Sequence, residues 1–435
     1  MAGLSLHSVQ TAGPKEAIPL KQFHYGWVVC VTCTLLLFVT MGTVSNGFSV
    51  YLPFILEEKG LTNAQTSSLV TLRCAVSFVA MLGIGFYYKK VSLRMGTGLA
   101  ACCAGLAFLL YSLAEGYPLF CLGAAVSGLS YGLGSMIPVS ILINRWFFRH
   151  RALALSICAS GSGLATIILP PVTTSLVENL SMATAFRLEA VAIFAFALVI
   201  FLVLRNQPAD KGLLPCGQTP EGAAQEQAEA SQPAAADHPP RQGMAGQLWL
   251  LLGLASLFMG ALANPGFSHL SVLYTSEGFP AATVALLISI IGVMLVVGKL
   301  VFGEVTDLIG AGKSTLLFGA VLLVGHVLCC LAFTGSVALG VAMALCVGMG
   351  YPIATMGPSV WANDLAPSAQ YPTVVRRLQV IYAGGALAFA SLPGVLADHL
   401  GGSYLPAYVL FSITIVVSLV CVALAYRAGR RAQRA

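Results

Sequence analysis

The sequence predicts an all-α polytopic membrane protein, with 12 transmembrane helices in two pseudo-symmetric six-helix bundles, and three observations carry that prediction. The first is composition: 57% of the 435 residues are hydrophobic and only 9% are charged, where a soluble domain carries roughly 25% charged residues. The mean hydropathy of +0.86 belongs to a chain solvated by lipid. The second is the form of the apolar runs. AVAIFAFALVIFLVL (190–204) is apolar on every face, which suits a helix in hydrocarbon, whereas barrel strands alternate apolar with polar residues. The third is an internal repeat: GSGLATIILPPV (161–172) returns as GGALAFASLPGV (384–395).

Taken in chain order, hydropathy windows of about 19 residues place the first six helices near 25–55, 64–88, 96–114, 118–143, 152–177 and 184–204. Residues 1–24 have no continuous apolar core, so a cleaved signal peptide is not expected and the stretch reads as a cytoplasmic tail before a first bundle at 25–204. Residues 205–246 are rich in Ala, Gln, Pro and Glu and too polar to insert, which predicts a flexible cytoplasmic linker. The second bundle, 247–426, has helices near 247–275, 281–303, 314–333, 336–361, 373–397 and 404–426, and residues 427–435 form a basic cytoplasmic tail. Lys and Arg concentrate on the segments that face inward if the N-terminus is cytoplasmic, which predicts both termini inside a plasma or inner membrane.

The repeat has four anchors. NGFS (46–49) returns as NPGFS (264–268), and Gly128, Tyr131, Met136 and Pro138 return as Gly348, Tyr351, Met356 and Pro358. Gly85, read as following the second helix, corresponds to Gly303 after the eighth. From Gly47 to Gly266, Gly128 to Gly348, Gly85 to Gly303 and Gly161 to Gly384 the offsets are 219, 220, 218 and 223, close to one period. Duplicated bundles of this kind hold a substrate site near the membrane midplane between the halves and expose it alternately. Gly161 and Pro170, with their counterparts Gly384 and Pro393, then fall at the interface between halves. Glycine there permits close approach and proline a bend; ordinary packing without a moving role is the other reading.

Several patterns have simple readings. The 12 cysteines lie mostly in apolar runs and read as small filler, and the CxxC at Cys30–Cys33 has no neighbouring ligand cluster. NRWFFRHR (144–151) reads as a basic topology signal in a short inner loop, with no nucleic-acid partner expected. GAGKST (310–315) lacks the first glycine of a phosphate-binding loop, because Asp307 stands there. No nucleophile, metal or paired-acid constellation is apparent, so no enzyme activity, cofactor or metal is expected.

GKLVFGEVTDLIGAGK (298–313) resembles the loop signature after the eighth helix of the major facilitator superfamily, with Gly303, Asp307, Gly310 and Lys313 at the matching, gate-related positions. The first-half copy, GIGFYYKKVSLR (83–94), departs from it, with Lys89 where the family has aspartate. YGW (25–27), WFFRHRALALSICASGSG (146–163) and LRNQPADKGLLPCG (204–217) are similar to the monocarboxylate and oxalate/formate transporter group. The resemblance implies the major facilitator fold and transport of a small carboxylate. It places Lys299 where that group carries a basic residue, usually Arg, that pairs with the substrate carboxylate. The group's accompanying acid is here Leu295, and its second helix has no counterpart to Arg73.

A charge near the bilayer centre costs about 2.5 to 3.5 kcal/mol on insertion scales, so each one present suggests function. Arg73, in TLRCAVSF of the second helix, reads either as an anion-coordinating or gating residue or as a structural one bonded to backbone carbonyls or a carboxylate. Lys299 either faces the cavity or snorkels to the cytoplasm. His269 either titrates near the site and couples a proton or is a satisfied core residue. Glu189 reads as an interfacial ion pair with Arg187. Asn46, Asn264, Ser268, Tyr131, Tyr351 and Tyr382 are candidates for neutral polarity lining the cavity, or for satisfying local backbone.

These readings converge on a monomeric secondary active transporter of a small organic anion, a mono- or dicarboxylate, coupled to a proton or counter-anion, with the lipid bilayer as its surroundings. A multidrug or other organic-solute exporter of the same fold is one alternative, and a non-transporting membrane sensor or scaffold is another.

Overall fold

The computed structural model describes residues 24–148, 151–218, 246–366 and 370–434. Among them, 12 helices are long and apolar enough to span a membrane. The first half comprises α1 (Tyr25–Lys59), α2 (Asn63–Lys90), α3 (Leu93–Ser112), α4 (Tyr117–Trp146), α5 (Leu153–Asn179) and α6 (Met182–Val203). The second comprises α7 (Gly246–Gly266), α8 (Ala281–Ile309), α9 (Ala311–Cys329), α10 (Val337–Leu365), α11 (Thr373–His399) and α12 (Leu405–Gly429), with α7 running on through Leu270–Ser276. Local chemistry sets the starts. Thr62 and Gln65 form a capping box at α2, and Ser92, Ser181 and Ser336 accept from backbone N–H groups at the starts of α3, α6 and α10.

Below, the tail side is the membrane face where α1 begins and α6 and α12 end; the loop side is the opposite face. On the tail side, part of the stretch expected to be flexible linker is folded. Cys216 N–H donates to Trp146 O (2.7 Å), Phe148 N–H to Cys216 O (2.9 Å) and His24 Nε2 to Leu214 O (3.0 Å), while Asn206 Oδ1 accepts from Arg94 N–H (2.9 Å). Composition suggested a mobile coil, but residues 204–218 bond to the ends of α1, α3 and α4 and to one another, as where Leu213 N–H donates to Pro208 O. Residues 219–245 of that stretch, and most of the N-terminal tail, lie outside the described residues.

The repeated phrases mark repeated irregularities. The Asn46 and Asn264 phrases fall in π-helical stretches, Phe38–Gly47 of α1 and Leu262–Gly266 of α7. Both α4 and α10 break beside their repeated tyrosine region, between Leu133 and Met136 and at Tyr351 respectively. Glycine fixes corresponding crossings: a Cβ on Gly128 would lie 2.6 Å from Arg73 O, and one on Gly348 would lie 2.7 Å from Ile291 O. α2 therefore packs on α4 as α8 packs on α10, and the two halves are built on one plan.

Proline acts differently from the expected pair of bends. α5 continues through Pro170 and Pro171, whereas α11 breaks after Phe389 and resumes at Leu392 before Pro393. Each proline in a helix removes the N–H that would bond the carbonyl four residues earlier. Two such freed carbonyls are taken by hydroxyls from a neighbouring helix, Ile167 O (Pro171) by Ser289 Oγ at 3.0 Å and Ser49 O (Pro53) by Ser271 Oγ, and Thr40 Oγ1 donates to Gly134 O in the break of α4 at 2.7 Å. The Ser289 and Ser271 bonds cross from one half to the other.

Two placements differ from the sequence reading. Gly85 and Gly303, expected after their helices, lie within α2 and α8, and Asp307 also sits in the last turns of α8. Nothing breaks α2 before Lys90 or α8 before Gly310, whose φ of +85° makes the turn into α9. Second, Gly161 closes tightly on Thr34 O of α1, but its counterpart in packing is Gly385, which closes on Leu257 O of α7; Gly384 has open space beside it.

Candidate functional site

Contacts between halves concentrate on the loop side and in the middle of the membrane. At the loop-side end of α2, the Asp398 carboxylate of α11 accepts from Asn63 N–H (3.2 Å), Asn63 Nδ2 (2.9 Å) and Ala64 N–H (2.8 Å), so a second-half acid caps a first-half helix. One turn deeper, Gly394 of α11 lies directly against Ser67 of α2. On the tail-side halves of the same helices, Gly83, Gly85 and Gly384 have open space. The two halves are thus in direct contact at the loop-side ends of α2 and α11.

His269 belongs to this closure. It is 1% exposed; Nδ1 donates to Pro265 O (2.8 Å), so Nε2 is the acceptor for Ser67 Oγ (2.8 Å), and the ring stacks on Tyr404 with centroids 5.8 Å apart. With both nitrogens engaged, His269 fastens α7 to α2 and offers no free nitrogen to a cavity.

Arg73 stands at the centre. It is 2% exposed, and its guanidinium donates to Val44 O (3.1 Å), Asn264 Oδ1 (2.9 Å) and Ser268 Oγ (3.2 Å). The sequence explains each partner. The π-helical stretch of α1 turns a backbone carbonyl, Val44 O, outward from the regular ladder, and the π-helical stretch of α7 carries Asn264 two residues before Gly266. All three acceptors are neutral, and two belong to the other half. The guanidinium has five N–H donors in a planar fork, so these three bonds leave capacity for a further acceptor. Tyr131 and Asn264 are neighbours, and Tyr131, Tyr351 and Tyr382 lie close enough to interact electrostatically, Tyr131 also with Arg73. Tyr351 Oη donates to Ala263 O, again a carbonyl of the α7 π-helical stretch.

The other candidates lie elsewhere. Asn46 Nδ2 donates to Thr166 Oγ1 of α5 (2.7 Å). Lys299 Nζ is 3.4 Å from Ala159 O, also on α5. Lys299 therefore points across the α5–α8 seam toward the first half, yet it shares no partner with Arg73, which engages α1 and α7. Asp307 and Lys313 are exposed near the tail-side end of α8 and the start of α9. Pro170 and Pro393 are buried.

Glu189 does not pair with Arg187. It is 7% exposed while Arg187 is exposed, because residues two apart on a helix face different directions. The sequence reading also missed the hydroxyl caps at Ser271 and Ser289, for which the signal was present: a proline four residues after each acceptor, at Pro53 and Pro171. Asp398 gave no such signal, since its role depends on a helix more than 300 residues away.

The Major Facilitator Superfamily model matches residues 34–375. The agnestins efflux protein AgnL12 of Paecilomyces divaricatus is 23% identical over 429 residues, covering 96% of this chain and 89% of that protein. Human monocarboxylate transporter 12 is 27% identical over 311 residues, covering 65% of this chain and 57% of that protein. Among solved structures, the nucleoside transporter NupG superposes with a TM-score of 0.68 at 12% identity, covering 93% of this chain and 99% of that one; at that identity the likeness is one of fold.

Proposed function

The chain belongs to the Major Facilitator Superfamily, and from that premise we propose that it carries a small organic anion, a mono- or dicarboxylate, by rocking one half against the other. The observation that supports the anion is Arg73: a buried cation between the halves whose bonds go to neutral acceptors, so its charge is left for a ligand to neutralise. A carboxylate replacing Asn264 and Ser268 at the fork would gain a charge-assisted, bidentate bond. It would also loosen the hold of α2 on α7, since those acceptors are in the second half. Binding and opening are then linked through one side chain, and the similarity to a monocarboxylate transporter supports the same substrate class. Lys299 adds a second positive charge at the α5–α8 seam, nearer the tail side. Gly303, Gly310, Asp307 and Lys313 would serve the tail-side hinge, with the termini in the cytoplasm as Lys and Arg placement suggests.

The test is uptake of labelled lactate and oxalate into proteoliposomes holding the wild type, Arg73→Ala or Lys299→Ala. Uptake by the wild type that Arg73→Ala abolishes is the expected result. Carboxylate uptake unaltered in both variants would remove the site from these residues, and uptake of neutral solutes alone would remove the anion.

A further inference from the structure

The tail-side corner of the first half, where α3 begins beside the end of α6, holds two guanidiniums without a carboxylate partner among the described residues. Arg94 is the second residue of α3. Its Nε donates to Phe201 O (2.6 Å), its guanidinium lies over the Phe201 ring 4.7 Å from the centroid, and its backbone N–H donates to Asn206 Oδ1 (2.9 Å). Arg205 follows the last residue of α6 by two, and its Nη1 donates to Leu202 O (2.6 Å) and Leu204 O (2.9 Å). The two side chains thus rest on neighbouring carbonyls of one helix end, where the α6 dipole favours a cation. Each guanidinium has five N–H donors. Both terminal nitrogens of Arg94, and Nε and Nη2 of Arg205, are left without a bond among the described residues, and both side chains are only half-buried.

The acids in the neighbourhood are committed or distant. Asp210 accepts from Asn206 N–H (3.0 Å) and Gln207 N–H (3.3 Å) in the strap; α3 has no acid, and the one on α6, Glu189, lies toward the opposite end of that helix. The corresponding corner of the second half is built differently. There Gly312 at the start of α9 packs on Tyr426 near the end of α12, and Asp364 lies beside that tyrosine. The uncompensated charge is therefore a property of the first corner and not of the tail side as a whole.

Further into the span, the same two helices are bare and apolar. Met95 and Leu99 of α3 and Leu198 and Leu202 of α6 are all exposed, and each pair is four residues apart, on one face of its helix. The helices pack closely, since a Cβ on Gly98 would lie 3.4 Å from Phe201 and one on Gly105 would lie 2.9 Å from Phe194. Cations at the end of a span with apolar faces beneath them match an anionic amphiphile. A soluble phosphate would use only the cations, and a lipid without net charge would leave them uncompensated.

We propose that Arg94 and Arg205 hold the phosphate of an anionic phospholipid from the tail-side leaflet, with its acyl chains lying along α3 and α6. The free N–H groups of the two guanidiniums supply charge-assisted bonds to the phosphate oxygens. Because Asn206 is bonded to the Arg94 backbone and Arg205 opens the 204–218 strap, the lipid also fastens the strap to the bundle it crosses. The site is independent of what the protein carries.

Native mass spectrometry of purified protein, offered equal amounts of phosphatidylglycerol and phosphatidylcholine with the same acyl chains, reads the preference directly. The wild type is expected to retain phosphatidylglycerol about tenfold over phosphatidylcholine, and the double variant Arg94→Gln/Arg205→Gln to retain both alike. Arg427→Gln, which removes the same charge near the end of α12, is expected to keep the wild-type preference. Each single variant is expected to lose part of it, which serves if the double variant does not fold. Thermal unfolding in detergent gives a second reading: phosphatidylglycerol is expected to raise the wild-type unfolding temperature more than phosphatidylcholine or soluble glycerol phosphate does, by an increment that high salt reduces. A preference that survives in the double variant, or that falls equally in Arg427→Gln, overturns the site. No preference in the wild type overturns the anionic lipid, as does an increment from glycerol phosphate equal to that from phosphatidylglycerol.

Discussion

The two halves share a skeleton and differ in charge. Gly128 seats α4 on Arg73 O, and Gly348 seats α10 on Ile291 O, so Arg73 and Ile291 occupy equivalent places in the α2–α4 and α8–α10 crossings. Packing requirements are the same at both sites because a Cβ would strike a backbone carbonyl at either. What stands on the backbone differs: a guanidinium reaching into the other half against a branched apolar chain within its own. The buried acid Glu189 is likewise a first-half feature. The difference teaches that the repeat fixes where helices cross and bend, while single substitutions on that repeat supply the chemistry.

The largest test of this asymmetry is Arg73→Ile, which gives the first half the residue of the second. Loss of charge-assisted bonds worth about 3 kcal/mol corresponds to a fall on the order of 100-fold in carboxylate transport, measured as initial uptake rate. Partial recovery on adding Ile291→Arg would show that the two places are interchangeable; none would show that the α1 and α7 acceptors are specific to the first. Next, Gly128→Ala and Gly348→Ala are each expected to cost about 1 to 3 kcal/mol by overpacking, with similar drops in thermal unfolding temperature in detergent. A large inequality between them would break the shared skeleton. Lys299→Met is expected to lower carboxylate transport by roughly 10-fold, an effect of about 1.4 kcal/mol, with Lys299→Arg retaining most of it. Smallest are Ser271→Ala and Ser289→Ala, which each release a proline-freed carbonyl between the halves at about 1 kcal/mol. Both are expected to raise labelling of a cysteine placed at Ser67, within the loop-side closure, whereas Thr40→Val, which frees a carbonyl within one half, leaves that labelling unchanged.

The candidate site was partly legible in the sequence. Arg73 stood out because a charge ten residues into an apolar helix has no ordinary explanation, and Asn264, Ser268 and the tyrosines stood out as repeated polar positions. His269 was open between a titrating and a structural role; two hydrogen bonds, one to a residue 202 positions away, seal it into the closure. Glu189 was misread because proximity in sequence to Arg187 says nothing about direction around a helix. The folded strap at 204–218 was hidden for a related reason: its composition is that of a coil, and what fixes it in place are bonds to the ends of three helices.

The sequence by itself determined the twelve spans, the duplication and the presence of buried charge, because each follows from hydrophobic length, periodicity and the cost of an ion in hydrocarbon. Only the tertiary structure decided which charge bridges the halves, which carbonyls freed by proline find a hydroxyl, and that Asp398 caps a helix in the opposite half. Those outcomes depend on which helix faces are brought within hydrogen-bond reach, about 3 Å, and residues more than a hundred positions apart acquire that relation only when the two bundles pack.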